Sequence, residues 1–299
     1  TGTDIAGNEA TQTFTFDKDT EATITARFED AQVFEGNTGI LNDAEDDATV
    51  LSGTVSNVEA GDDVNLTVTD TQGGQLTFVT QVQGDGTWST TEDLSSLAPG
   101  TLTLTADTVD NAGNPASATA TIEHDPNAAI TVISLDQGDV INADESLATV
   151  VNGTVTDVEP GRTVQVEITD GVTTVTTTAQ VQGDLSWSAD PADLSGLADG
   201  PITINVSVFD NAGNEATNSY PATKDATAEI TVMFEDDFIN DGFGGYLNAD
   251  EDDTTTVSGT VADVEDGQTV DVVITDSAGI EVTGSAMVAG GAWSLDNLD

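Results

Sequence analysis

The sequence predicts an all-β chain of sandwich modules, each of about 100 residues, following one another as a linear rod. Three observations carry this reading. Apolar residues alternate with polar ones in short runs, turn signals part the runs about every 8–12 residues, and one succession of motifs is written three times.

The alternation comes first. "TVQVEITD" sets Val164, Val166 and Ile168 on one side of a strand, and "PITINVSVFD" does the same with Ile202, Ile204, Val206 and Val208. "EAGD", "TQGG", "GDG" and "APG" mark the turns between such runs in the first copy. Seven strands are predicted there, at 24–30, 48–57, 63–69, 75–83, 86–90, 100–109 and 116–122, with no helix. This is the strand count of an antiparallel immunoglobulin-like sandwich. Trp88, Trp187 and Trp293 fall at one repeat position and read as core residues.

The repeat sets the domain organisation. "DNAGN" stands at Asp110–Asn114 and Asp210–Asn214, with "DIAGN" at Asp4–Asn8, so the intervals are 106 and 100 residues. "SGTV" at 52–55 returns as "NGTV" at 152–155 and "SGTV" at 258–261. The first and third copies hold six extra residues, between Asp30 and Leu41 and between Asp236 and Leu247, which marks a loop. The expected boundaries are 19–124, 125–224 and 225–299, the last ending before its final two strands, with 1–18 the closing strand of a preceding module.

Composition bounds the partners. With 55 acidic and 4 basic residues the formal net charge is −51, yet the 37% hydrophobic share is that of folded domains, so the surfaces are acidic. Only Lys18, Arg27, Arg162 and Lys224 are available for phosphate, which argues against nucleic acid as a partner. Cations are the natural ligands. No cysteine supplies disulfides or thiolate sites, and no apolar run of about 18 residues suggests direct membrane contact.

A strand ending in "DNAGN", a further strand, an acidic linker ("HDPNA", "KDATA"), then "SGTV" and a "GxW" strand together resemble the bacterial Ig-like repeats of giant secreted adhesins, of the RTX and biofilm-associated type. The likeness spans all three copies. It implies tandem extender domains on the bacterial cell surface that hold a ligand-binding region away from the cell, stiffened by Ca²⁺ between domains. The family's linker commonly reads Asp-Thr-x-x-Pro; this chain instead has Asp125-Pro126.

The candidate ligands follow from parity and topology. Leu102, Leu104, Ala106, Thr108 and Asp110 share one side of strand six, as do Ile204, Val206, Val208 and Asp210, so a carboxylate points inward at the mouth of each sandwich. Either its own turn caps it or a cation does. In this fold the hairpin after strand six, the turn after strand two and the incoming linker share one end. Asp125, Asp157, Glu159 and Asp210 are therefore expected at the junction of copies one and two, with Asp17, Asp19, Glu59 and Asp110 above it and Asp225, Asp263 and Glu265 below. Oxygen-only donors suit Ca²⁺. A weaker set lies in the loop after strand one, at the far end of each domain: Asp30, Asn42, Asp43 and Glu45; Asp136, Asn142, Asp144 and Glu145; Asp236, Asn248, Asp250 and Glu251. The position before the linker Asp is Lys18, His124 or Lys224, which reads as charge compensation.

The function expected is a Ca²⁺-stiffened spacer whose partners are its neighbouring modules and calcium ions. A catalytic site diluted through three near-identical copies is not expected, so no enzyme is read here. The competing readings are a glycan- or surface-binding Ig-like module and a structural subunit of an extracellular filament.

Overall fold

The computed structural model describes residues 1–16, 18–31, 39–136, 138–235 and 255–298, and for Ile133, Asn297 and Leu298 the backbone alone. The second repeat shows the architecture most fully. A five-stranded sheet runs in the order Val140–Ile141, Glu215–Lys224, Gly200–Phe209, Thr163–Thr169, Thr174–Gln180, opposite a three-stranded sheet of Ala129–Leu135, Val151–Thr156 and Ser186–Ser188. All pairings are antiparallel except that of Val140–Ile141 with Thr223 and Lys224. The first repeat matches it strand for strand, from Ile40–Leu41 at one edge of its large sheet to Gln75–Gln81 at the other.

Each sandwich closes over the alternating residues. Val164, Val166, Ile168, Ile202, Ile204, Val206 and Val208 are buried, as are their counterparts Val64, Leu66, Val68, Leu102 and Leu104. Burial of one such side chain contributes about 1.5–3 kcal/mol. The buried apolar residues form three separate clusters, within 24–122, 130–222 and 257–293, each containing one of the tryptophans.

Two features depart from the sequence reading. The first predicted strand is broken in the first repeat into Thr23–Ile24 and Arg27–Phe28, both on Thr49–Ser56, and in the second repeat a register shift falls between Val132 and Ser134. The break frees the carbonyl of Thr25, which accepts from Trp88 Nε1 at 3.1 Å. The loop after strand one, expected without helix, holds a helical turn at Asp43–Asp46, and Glu145–Leu147 forms a 3₁₀ turn in the second repeat. The local cause is a capping box. Asn42 Oδ1 accepts from the N–H groups of Ala44 and Glu45 while Glu45 Oε2 takes that of Asn42, and Asn142 with Glu145 repeats the arrangement.

Candidate functional site

The "DNAGN" turn satisfies its own aspartate. Asp210 Oδ1 accepts from Gly213 N at 2.7 Å and Asn214 N at 2.8 Å, and its Oδ2 accepts from Asn214 Nδ2 at 2.6 Å. Asp110 receives Asn114 N and Nδ2, both at 2.7 Å, and Asp4 binds Asn8 in the same way. The Asn8 and Asn114 amides are the main cause holding Asp4 and Asp110 below the usual carboxylate range. Gly113 and Gly213 supply the left-handed backbone, at φ 91° and 101°. Asp110 and Asp210 are buried at 5% and 1% exposure, as the strand-six parity requires.

At the junction of the first two repeats the linker carboxylate of Asp125 feels three others, those of Asp210, Glu159 and Asp157. The Asp125 carboxyl lies above its ordinary value, first through burial and then through the like charges of Asp210, Glu159 and Asp157. Glu159 Oε2 accepts from Asn211 N at 2.9 Å, which ties the turn after strand two to the hairpin. Asp157 holds φ 54°, and its counterparts Asn57 and Asp263 hold 57° and 55°, a left-handed position that Asn and Asp tolerate best. Among the described residues none of these four acids is in a salt bridge.

The loop after strand one reaches this same junction. Asn42 Nδ2 donates to Ala212 O at 3.0 Å, Asp43 N donates to Asn214 Oδ1 at 3.0 Å, and Asn214 Nδ2 donates to Asp125 O at 2.7 Å. The two groups of candidate residues that sequence alone keeps apart therefore meet. Within that loop Asp30 and Glu45 are both pushed up by burial, Glu45 also by Asp30. The oxygens of Asn42, Glu45, Asn142 and Glu145 serve the capping boxes, while Asp136 Oδ1 accepts from Asn152 Nδ2 and Asp144 lends its backbone N–H to Asn142.

The outer sets differ. Asn111 N donates to Glu59 Oε2 at 3.2 Å beside the Asp110 turn, and Asp19 Oδ1 accepts from Glu21 N at 3.4 Å; Asp17 lies outside the described residues. Asp225, Asp263 and Glu265 line one cleft of ≈ 520 Å³ with Asp199, Lys224 and Thr227. Asp236, Asn248, Asp250 and Glu251 lie outside the described residues. In two of the three copies the basic position before the linker is paired: Lys224 Nζ meets Asp199 at 2.5 Å, and His124 Nε2 meets Asp46 Oδ2 at 3.0 Å with both side chains buried, while Lys18 is exposed. Sequence reading missed Asp46 and Asp199 as those partners, because residues 78 and 25 positions away leave no periodic trace.

The donors at the junction are oxygens, the class that hard divalent cations prefer. Among the described residues no three acidic, cysteine or histidine side chains are grouped so that they could hold a metal ion. The donor set fits Ca²⁺ in chemistry.

No family model matches the chain, and no curated protein matches it. The chain is similar to a solved tetra-tandem repeat in the extending region of a large adhesion protein, at 29% identity over 93% of this chain and 66% of that one, with TM-score 0.33. It is also similar to a Ca²⁺-stabilized adhesin that helps an Antarctic bacterium reach out and bind ice, at 28% identity over 92% of this chain and 65% of that one, with TM-score 0.42. A 1.5-MDa bacterial ice-binding adhesin is similar at 26% identity over 93% and 87%, with TM-score 0.39. The chain thus spans slightly less than two thirds of the first two structures, 66% and 65%.

Proposed function

We propose that the chain is part of the extender region of a large extracellular bacterial adhesin, in which Ca²⁺ at the junctions stiffens a row of Ig-like modules. The modules are 19–124, 125–224 and 225–299, preceded by the end of another at 1–18. In this reading their work is mechanical: they hold a binding region away from the cell surface.

The observation that carries the proposal is Asp125. Its carboxyl is destabilised in the ionised form by burial and by Asp210, Glu159 and Asp157, and a divalent cation would remove that penalty. Asp125, Asp157, Glu159 and Asp210 would hold the ion at the first junction, and Asp225, Asp263 and Glu265 at the second. Calcium supplies charge neutralisation and a many-ligand tie between linker and loops. The chain supplies the left-handed turn at Asp157 and the Glu159–Asn211 bond, which in this reading would present the two carboxylates to the linker.

Calorimetry tests this directly. At an extracellular-type Kd of about 10⁻⁴ M and about millimolar ion, each site adds about 1.4 kcal/mol, so the melting transition should rise in Ca²⁺ relative to EDTA at matched ionic strength. Asp125→Asn should remove the first junction's share of the rise. Superimposable melting curves in the two conditions would refute specific sites.

A further inference from the structure

The Asn214 side chain ties together three parts of the chain. Its Nδ2 donates to the linker carbonyl of Asp125 and to Asp210 Oδ2, and its Oδ1 accepts the backbone N–H of Asp43 from the preceding repeat. Alongside, Asn42 Nδ2 donates to the carbonyl of Ala212. Asn214 is 9% exposed, and the bonds it and Asn42 make here are partly buried.

We infer that these contacts form a metal-independent latch, in which the "DNAGN" turn of one repeat is recognised by the Asn-x-x-Glu loop of the repeat before it. The bonds that cross between the repeats join neutral groups, so the latch needs no cation and does not rest on the calcium reading. The chemistry explains why asparagine stands at both positions. Asn42 spends its oxygen capping the helical turn, at Ala44 and Glu45, and has its amide N–H left to reach Ala212. Asp would cap the turn equally well but offers no donor, and the one O–H of Ser or Thr sits on the capping oxygen itself, one atom nearer the backbone than the Asn42 amide nitrogen. Asn214 likewise needs an acceptor for Asp43 and a donor for Asp125, and aspartate offers only the acceptor. The socket is held from behind by the buried His124–Asp46 pair, which binds the helical turn to the strand that runs into the linker. In the first repeat, among the described residues, Asn114 bonds to Asp110 of its own turn.

The test places spin labels on the full chain, which has no native cysteine, at Thr121→Cys in the first repeat and Thr176→Cys in the second, both exposed. Distance distributions are measured in EDTA. There the wild type should keep a docked population at one distance, alongside the wider spread left by removal of the ion. Asn42→Ser keeps the cap and loses the amide N–H that reaches Ala212, and Asn214→Ser loses the hub; each should raise the undocked population about fivefold per lost bond. Asn114→Ser, in the same turn of the first repeat, should leave the distribution unchanged and so controls for damage within a turn. A wild-type distribution in EDTA with no docked population overturns the latch. So does an Asn42→Ser distribution identical to wild type, since Asn214 would then act only inside its own repeat. Loss of calcium stabilisation in calorimetry leaves the latch standing, which separates the two readings.

Discussion

Asp170 shows how an acidic residue can be committed to backbone rather than to solvent or cation. Its Oδ1 accepts from Val172 N at 2.8 Å and Thr173 N at 2.7 Å, and its Oδ2 from Ala198 N at 2.8 Å, so one side chain closes its own turn and pins a second. The Ala198 bond is the largest cause of a pKa lowered to about 2. Asp70 makes the equivalent bonds in the first repeat and is lowered too. Because the folded value lies below the ordinary 3.8, this contribution is complete above the unfolded value and is lost as pH falls through about 2. Asp170→Asn should therefore lower the urea midpoint near pH 6, with the difference from wild type shrinking toward about pH 2. An offset constant down to the lowest pH would mean that the carboxylate charge is not what stabilises the turn.

At the scale of the strand, one glycine decides how the smaller sheet packs. Gly53, Gly153 and Gly259 stand directly opposite Trp88, Trp187 and Trp293 in the ladder, and each indole lies across its glycine. A Cβ at Gly153 would sit 1.9 Å from Thr131 O and 2.4 Å from Trp187 Cζ2. The strand has to shift or the indole has to leave. Gly153→Ala should thus cost about 1–3 kcal/mol in denaturant unfolding, whereas Gly183→Ala, with open space at its Cβ, should cost far less. Equal costs at the two positions would reject the glycine–tryptophan account. The motif pair "GTV" and "GxW" was visible as a repeat, but the contact between its halves was not. Two-residue strands such as Ile40–Leu41 and Val140–Ile141 were equally invisible, since a period of two cannot register in two residues.

For the whole molecule the question is length. A ten-residue strand such as Gly200–Phe209 spans roughly 33 Å, so three sandwiches held in line extend about 100 Å. Like charge separates neighbouring repeats but sets no angle. Small-angle scattering should show a rod in Ca²⁺ and a broader range of shapes in EDTA, with the broadening smaller in wild type than in Asn42→Ser. Identical scattering of the wild type in both conditions would rule out calcium-dependent stiffening.

What the sequence determined by itself is what is periodic or copied. The alternation of Val164, Val166 and Ile168 fixes a buried face, the three copies fix the number of cores, and the parity of strand six fixes Asp110 and Asp210 as inward carboxylates. Only the tertiary structure decided what those carboxylates touch. Asp210 is answered first by its own turn, Asn42 and Glu45 by each other, and Asp125 is left under the repulsion of three acids. The bonds that join the repeats link positions 170 and 171 apart in the chain. Such pairs have no one-dimensional signature, because a hydrogen bond depends on distances of about 3 Å that are set only once both sandwiches have closed and docked.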